Sequence, residues 1–146
     1  SLNKGMGIPA GVIYAEPSTI NQLAMSPWFS AASPALPASM YALKMLLKNA
    51  VYDEPYRRVI ENTIYFLQKI SGCMYLTRVS GYPVMCSKDA RFFDYLLNKG
   101  ILASRFPYPS ADDEPVTRIA LSALHQKEDL DRMAEVCISF QDKFKS

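Results

Sequence analysis

The chain has one histidine, three cysteines and no apolar run approaching the ~20 residues that a membrane span requires. Each shortage excludes something. A lone histidine, His125, supports no Ser/His/Asp order, and no His/Cys/Asp/Glu cluster has metal-ligand spacing. Cys73, Cys86 and Cys137 are odd in number, far apart and without a Cys-x-x-Cys pair. Neither a disulfide framework nor a zinc site is expected from them; buried thiols in a reducing cytoplasm are. The N-terminus lacks the basic-then-apolar pattern of a secretory signal. The net charge is only +2, and scattered Lys and Arg make no basic stripe for nucleic acid. Gly5-Met6-Gly7 is no dinucleotide fingerprint, because the third glycine and a preceding strand are missing.

What remains is an ordinary globular composition, 49% hydrophobic and 21% charged over 146 residues, enough for one respectable core. Residues 10–15 read as a strand and 18–25 as a short helix, with Trp28 to Pro37 as a loop. Ser33 with Pro34 behind it reads as the N-cap of a helix reaching Asn49, with Met40, Leu43, Leu46, Leu47 and Ala50 on one face. Pro37 would cost that helix an early hydrogen bond, which favours a start one turn later. A second helix opens at Asp53, carries Tyr56, Ile60, Ile64, Leu67 and Ile70, and stops at Gly72.

Residues 82–86 then read as a strand, and Ser87 as the cap of a helix with Phe92, Phe93, Leu96 and Leu97, ended by Gly100. Residues 101–104 and 116–121 read as strands separated by an irregular loop from Phe106. The last helix, about 127–142, turns Leu130, Met133, Ala134, Cys137 and Phe140 inward. Glu128 and Asp129 lie in its first turn and Lys143 and Lys145 beyond its end, matching the helix dipole. The order predicts an α+β fold in which helices cover one face of a small, mainly antiparallel sheet.

Three positions have chemistry worth weighing. Lys4 precedes Gly5 and Gly7, which allow a tight loop; a lysine in such a setting is most often a solvated loop residue. In a strand at 116–121, Thr117, Ile119 and Leu121 share the face that suits packing under helices. Arg118 shares the other face with Val116 and Ala120, where a five-donor planar fork suits a carboxylate. Its plainer reading is an edge-strand arginine in water or paired with Asp112, Asp113 or Glu114. Ser33, at a helix start whose free N–H groups favour phosphate, is equally well only a cap. His125 reads as a capping or packing residue, and Tyr108, between two prolines, as a loop aromatic or part of an entrance.

Two segments together carry a resemblance. Lys4-Gly5-Met6-Gly7-Ile8-Pro9-Ala10-Gly11-Val12-Ile13-Tyr14 is similar to the cofactor-lysine loop of pyridoxal-phosphate (PLP) enzymes of the aspartate-aminotransferase fold. Arg118, Ser122, Ala123, His125, Glu128, Asp129 and Asp131-Arg132 match the Arg-x-x-x-Ser-Ala-x-His pattern, with acidic residues soon after, of one branch, the α-oxoamine synthases. Many relatives carry a second arginine two positions before the first, where this chain has Val116.

The resemblance implies the C-terminal part of such an enzyme, with residues 1–33 a remnant of the large cofactor domain and 34–146 the small domain of fold-type-I PLP enzymes. It implies pyridoxal 5'-phosphate as cofactor and Lys4 as the catalytic, cofactor-binding lysine. Ser33 becomes a cofactor-phosphate contact across a homodimer, and Arg118 the clamp on the substrate carboxylate. The parent would be a cytoplasmic transferase that condenses a small amino acid with an acyl-CoA, releasing carbon dioxide and CoA, with no nucleic-acid or membrane partner. The isolated piece would be inactive. Two alternatives stay open: an aminotransferase of the same fold, and a non-catalytic α+β binding domain.

Overall fold

A computed structural model describes residues 1–144. The chain forms two compact units, Ser1–Tyr52 and the remainder from Asp53. No helix among the described residues is long and apolar enough to cross a membrane.

The first unit opens on a chain reversal. Leu2 N–H donates to Ala10 O (2.9 Å), and Met6 and Ile8 N–H both donate to Leu2 O (3.2 Å each). Gly7 takes φ +62° within this loop, and the Tyr52 hydroxyl donates to Met6 O at 3.0 Å. The expected strand over 10–15 does not form: these residues have no regular structure, and Val12, Ile13 and Tyr14 are exposed. A strand is a paired object, and among the described residues this segment has no ladder partner.

Helix α1 (Pro17–Ala24) begins on a proline, whose missing N–H costs nothing there. The segment expected to be all loop contains a short helix, α2 (Pro27–Ala31), capped by Ser26, whose Oγ accepts from Phe29 N–H. Helix α3 (Pro37–Lys48) starts with Pro37 at its first turn and Leu36 as a cap that makes no side-chain bond. Ser33 is therefore not an N-cap. A start at Pro34 would have put Pro37 where its ring and absent donor disrupt the helix. Ala42, Leu43, Met45 and Leu46 are half-buried around buried Ser39, whereas Met40, Leu47 and Ala50 of the expected face are exposed.

The second unit is the predicted α+β layer. Helix α4 (Asp53–Lys69) buries Thr63 and Phe66 with Ile70 just beyond its end. Tyr56 and Ile64, expected on that face, are exposed. Thr63 is tolerated inside because its hydroxyl donates to Val59 O (2.7 Å). Strands β1 (Thr77–Arg78), β2 (Val84–Ser87), β3 (Ser104–Pro107) and β4 (Pro115–Ala120) form one antiparallel sheet in the order β1-β2-β4-β3. The two-residue β1 was not anticipated. Strand β3 lies three residues later than expected, since residues 101–103 descend from the preceding helix, with Ile101 and Ala103 packed on the core.

Helix α5 (Ala90–Asn98) is capped by Asp89, which accepts from Arg91 N–H, and not by Ser87, the buried last residue of β2. Helix α6 (Lys127–Phe144) buries Leu130, Met133, Ala134, Cys137 and Phe140 as expected, and also Val136. Lys143 lies in its last turn instead of past its end, and Lys145 lies outside the described residues. The Phe140 ring sits 5.0 Å from those of Tyr75 and Phe92, 5.3 Å from Tyr95 and 4.9 Å from Phe144. Tyr75 donates from this cluster to Cys137 O (2.9 Å). Burial pushes the Tyr75 phenol up and the Cys137 thiol to about 12. All three cysteines are free; Cys73 and Cys137 are buried, but Cys86 is only half-buried.

Two helix ends provide an opposed test. After α5, Gly100 (φ +74°) and Ile101 donate to Leu97 O and Leu96 O, the doubly bonded reversal that favours glycine. A Cβ at Gly100 would lie 3.2 Å from Arg132 Nη2, the atom that donates to Lys99 O. After α3, Ala50 makes the same reversal at φ +49° without being glycine. Gly100→Ala should cost about 1–2 kcal/mol in urea unfolding, and Ala50→Gly should gain up to about 1 kcal/mol. Equal effects of one sign would contradict this account of the two turns.

Candidate functional site

Strand β4 divides the sheet's two environments. Thr117, Ile119 and Leu121 are 1%, 4% and 6% exposed on the helix-covered face, and Met85 and Ser87 of β2 are buried beside them. The opposite face carries Val116, Arg118 and Ala120, as the alternation predicted. Cys86 of β2 and Ser104 of β3 flank Arg118 in register, and Val84 and Phe106 pair with Ala120 and Val116.

Over this face lies a hollow of about 470 Å³, lined by Arg118, Tyr108, Tyr82, Val84, Cys86 and Val116 together with Thr77, Arg78 and Val79 of the β1 edge. Among the described residues no carboxylate lines it. The half-buried Arg118 guanidinium carbon stands 4.3 Å from the centroid of the Phe106 ring and 4.9 Å from that of Tyr108. Among the described residues its side chain has no ion pair and no hydrogen bond. The expected competitors are elsewhere: Asp113 accepts from Ser110 N–H (2.8 Å) within its own loop. A cation held on π faces, with its in-plane donors unspent, can bind a planar anion bidentately.

The residues around the Arg118 motif are scaffold. Ser122 N–H donates to His125 Nδ1 (3.1 Å), and Asn62 of α4 donates to both Ser122 O and His125 O. His125 is thus half-buried and ties the turn between β4 and α6. Asp129 accepts from Gln126 N–H at the start of α6. Asp131 accepts from the Tyr65 hydroxyl (2.5 Å) and pairs with Lys69 (2.9 Å), tying α6 to α4. Among the described residues no group of three or more His, Cys, Asp or Glu could hold a metal.

Lys4 is exposed in a turn of the first unit, and Ser33 is exposed between α2 and α3. Neither makes a side-chain hydrogen bond or ion pair among the described residues. Lys4 and Ser33 thus belong to one unit and Arg118 to the other. The sequence reading missed Phe106, Tyr82 and Cys86. Placing β3 at 104–107 would have put Phe106 on the Arg118 face by alternation alone.

No family model matches the chain. An 8-amino-7-oxononanoate synthase of Petrotoga mobilis is 32% identical over 143 residues, covering 90% of this chain and 36% of that protein. The chain fits the C-terminal part of an α-oxoamine synthase. It spans just over a third of that curated relative's length. The crystal structure of 8-amino-7-oxononanoate synthase from Francisella tularensis superposes with a TM-score of 0.60 at 22% identity, over 88% of this chain and 40% of that one. Serine palmitoyltransferase from S. paucimobilis, solved with a bound PLP–myriocin aldimine, gives 0.58 at 15% identity, over 81% and 35%. These structures share the α+β fold described above.

The scaffold behind Arg118 has a pH signature. The Tyr65 hydroxyl and then the Lys69 ammonium hold the Asp131 carboxyl below its usual range. A carboxyl depressed in the folded state stabilises above its unfolded value, about 3.9, and loses that contribution as pH falls through the folded value. Asp131→Asn should therefore lower the Tm at pH 7, and the difference from wild type should shrink as pH falls below about 4. A Tm difference that is constant from pH 7 to pH 3 would contradict it.

Proposed function

We propose that this chain is the C-terminal part of a PLP-dependent acyltransferase that condenses a small amino acid with an acyl-CoA, in the manner of 8-amino-7-oxononanoate synthase. The observation that supports this most is the Arg118 guanidinium, held over two rings above a hollow and with no carboxylate partner among the described residues. That is the electrostatic form of a carboxylate receptor, and it lies in the segment that matches the family's motif.

In this reading Arg118 fixes the α-carboxylate of the amino acid and so orients the bond to be broken. Lys4 attaches the cofactor and moves the proton at the α-carbon. Its amine is exposed and without an ion pair among the described residues, on a loop reversed by Leu2, Gly7 and Ala10, which fits an attachment point. Ser33 contacts the cofactor phosphate of a neighbouring subunit in a cytoplasmic homodimer. Pyridoxal 5'-phosphate, when bound, withdraws electrons from the α-carbon. Residues 1–33 belong in this scheme to the large cofactor domain and 34–146 to the small one, and the piece alone is inactive.

The test uses the longer protein that this reading requires. Arg118→Ala should lower kcat/KM for the amino acid by roughly 30- to 1,000-fold, the loss of about 2–4 kcal/mol from a partly desolvated charged contact. Arg118→Lys should recover only part, because an ammonium has no parallel fork. The absorption spectrum of the bound cofactor should not change in either variant. Normal amino-acid kinetics in Arg118→Ala would overturn the assignment. Product analysis separates the condensing reading from an aminotransferase: CoA release in the first, amino-group transfer to a keto acid in the second.

A further inference from the structure

A long arginine side chain on a sheet surface has many rotamers open to it, and a carboxylate receptor works only when that freedom is already spent. Arginines are usually fixed by a carboxylate, which also consumes their donors. Arg118 has no such partner among the described residues. The nearby acidic loop is folded back on itself: Asp113 accepts from Ser110 N–H, and Asp112 N–H donates to Ser110 Oγ. What touches the guanidinium is aromatic, Phe106 at 4.3 Å and Tyr108 at 4.9 Å.

We propose that Phe106 and Tyr108 are positioning residues for Arg118, holding the guanidinium through their ring faces while leaving its N–H fork open to the substrate carboxylate. The proposal rests on the carboxylate-clamp reading of Arg118. Strand pairing sets one ring directly: Phe106 pairs with Val116, two residues from Arg118 and on the same face. Tyr108 follows one residue past the end of β3 and lines the hollow with Arg118. Ring faces suit this task because they attract a cation without accepting the conventional hydrogen bonds that an anion needs to receive. Neither ring is part of the buried core, so replacing them leaves the fold's main cluster untouched.

Two readouts test it. In the 146-residue chain, 15N relaxation of Arg118 Nε should show a restricted side chain. Its order parameter should fall in Tyr108→Leu, fall further in the Phe106→Leu/Tyr108→Leu double variant, and be largely restored in Tyr108→Phe. In the longer enzyme, Tyr108→Leu should raise KM for the amino acid roughly 2- to 5-fold, and the double variant about 5- to 30-fold, the range for one and two exposed cation–π contacts. kcat should move less than KM, and Tyr108→Phe should recover most of the loss. If the order parameter is unchanged in the double variant, or Phe is no better than Leu at 108, the positioning role is wrong even where Arg118→Ala is severe. If Arg118→Ala is itself silent, the clamp reading fails, and the relaxation series still decides whether the rings hold the arginine.

Discussion

The register of β4 is the constraint on which the second unit depends. The strand is paired on both edges, with β2 from Val84↔Ala120 to Ser87↔Thr117 and with β3 from Ser104↔Arg118 to Pro107↔Pro115. Beyond β4 the contact with the β2 side continues, Leu121 N–H donating to Pro83 O. A slip of one residue would drive Arg118 into the helix-covered core and bring Thr117, Ile119 and Leu121 out. A charge in that position would be unpaired within the apolar cluster that Ile119 and Leu121 share, at a cost far above what the sheet gains from any single pairing. One alternation thus builds the core and aims the guanidinium.

That alternation was legible because it needs only local information. Thr117, Ile119 and Leu121 against Arg118 and Ala120 is a period-two pattern, and the inward face of α6 is a 3.6 pattern; both appear in the structure. Helix boundaries set by proline and glycine were also readable, in part: Gly100 ends α5, and the cost of an interior Pro37 was visible before the start of α3 was known. Positions that depend on partners were not. Residues 10–15 have strand composition but no strand to pair with among the described residues. Ile64 has the spacing of a core residue, yet α4 is rotated so that Thr63 and Phe66 face inward. Strand β3 was misplaced because its limits are set by the ladder to β4 and by the turn at Gly100, both of which lie outside its own sequence.

The same distinction applies to the site. Arg118 and its face followed from pattern, and the motif around it from resemblance. Its aromatic support did not, since Phe106 was assigned to a loop and Tyr108 read first as a loop ring and only second as part of an entrance. The motif residues beyond Arg118 have physical roles of their own. Ser122, His125 and Asn62 fix the chain as it leaves β4, while Asp129 and Asp131 fix the start of α6 and its contact with α4. A sequence pattern that looks catalytic is here mostly the framework that keeps one arginine where it is.

The proposed role of Arg118, an open fork that receives a substrate carboxylate, has a direct structural test. A crystal structure of the longer protein with a small amino acid bound tests it most directly. Both carboxylate oxygens should lie about 2.7–2.9 Å from two guanidinium nitrogens of Arg118, with the Phe106 and Tyr108 rings still against the guanidinium. An amino acid bound with its carboxylate on another cation, and Arg118 turned to solvent, would contradict it.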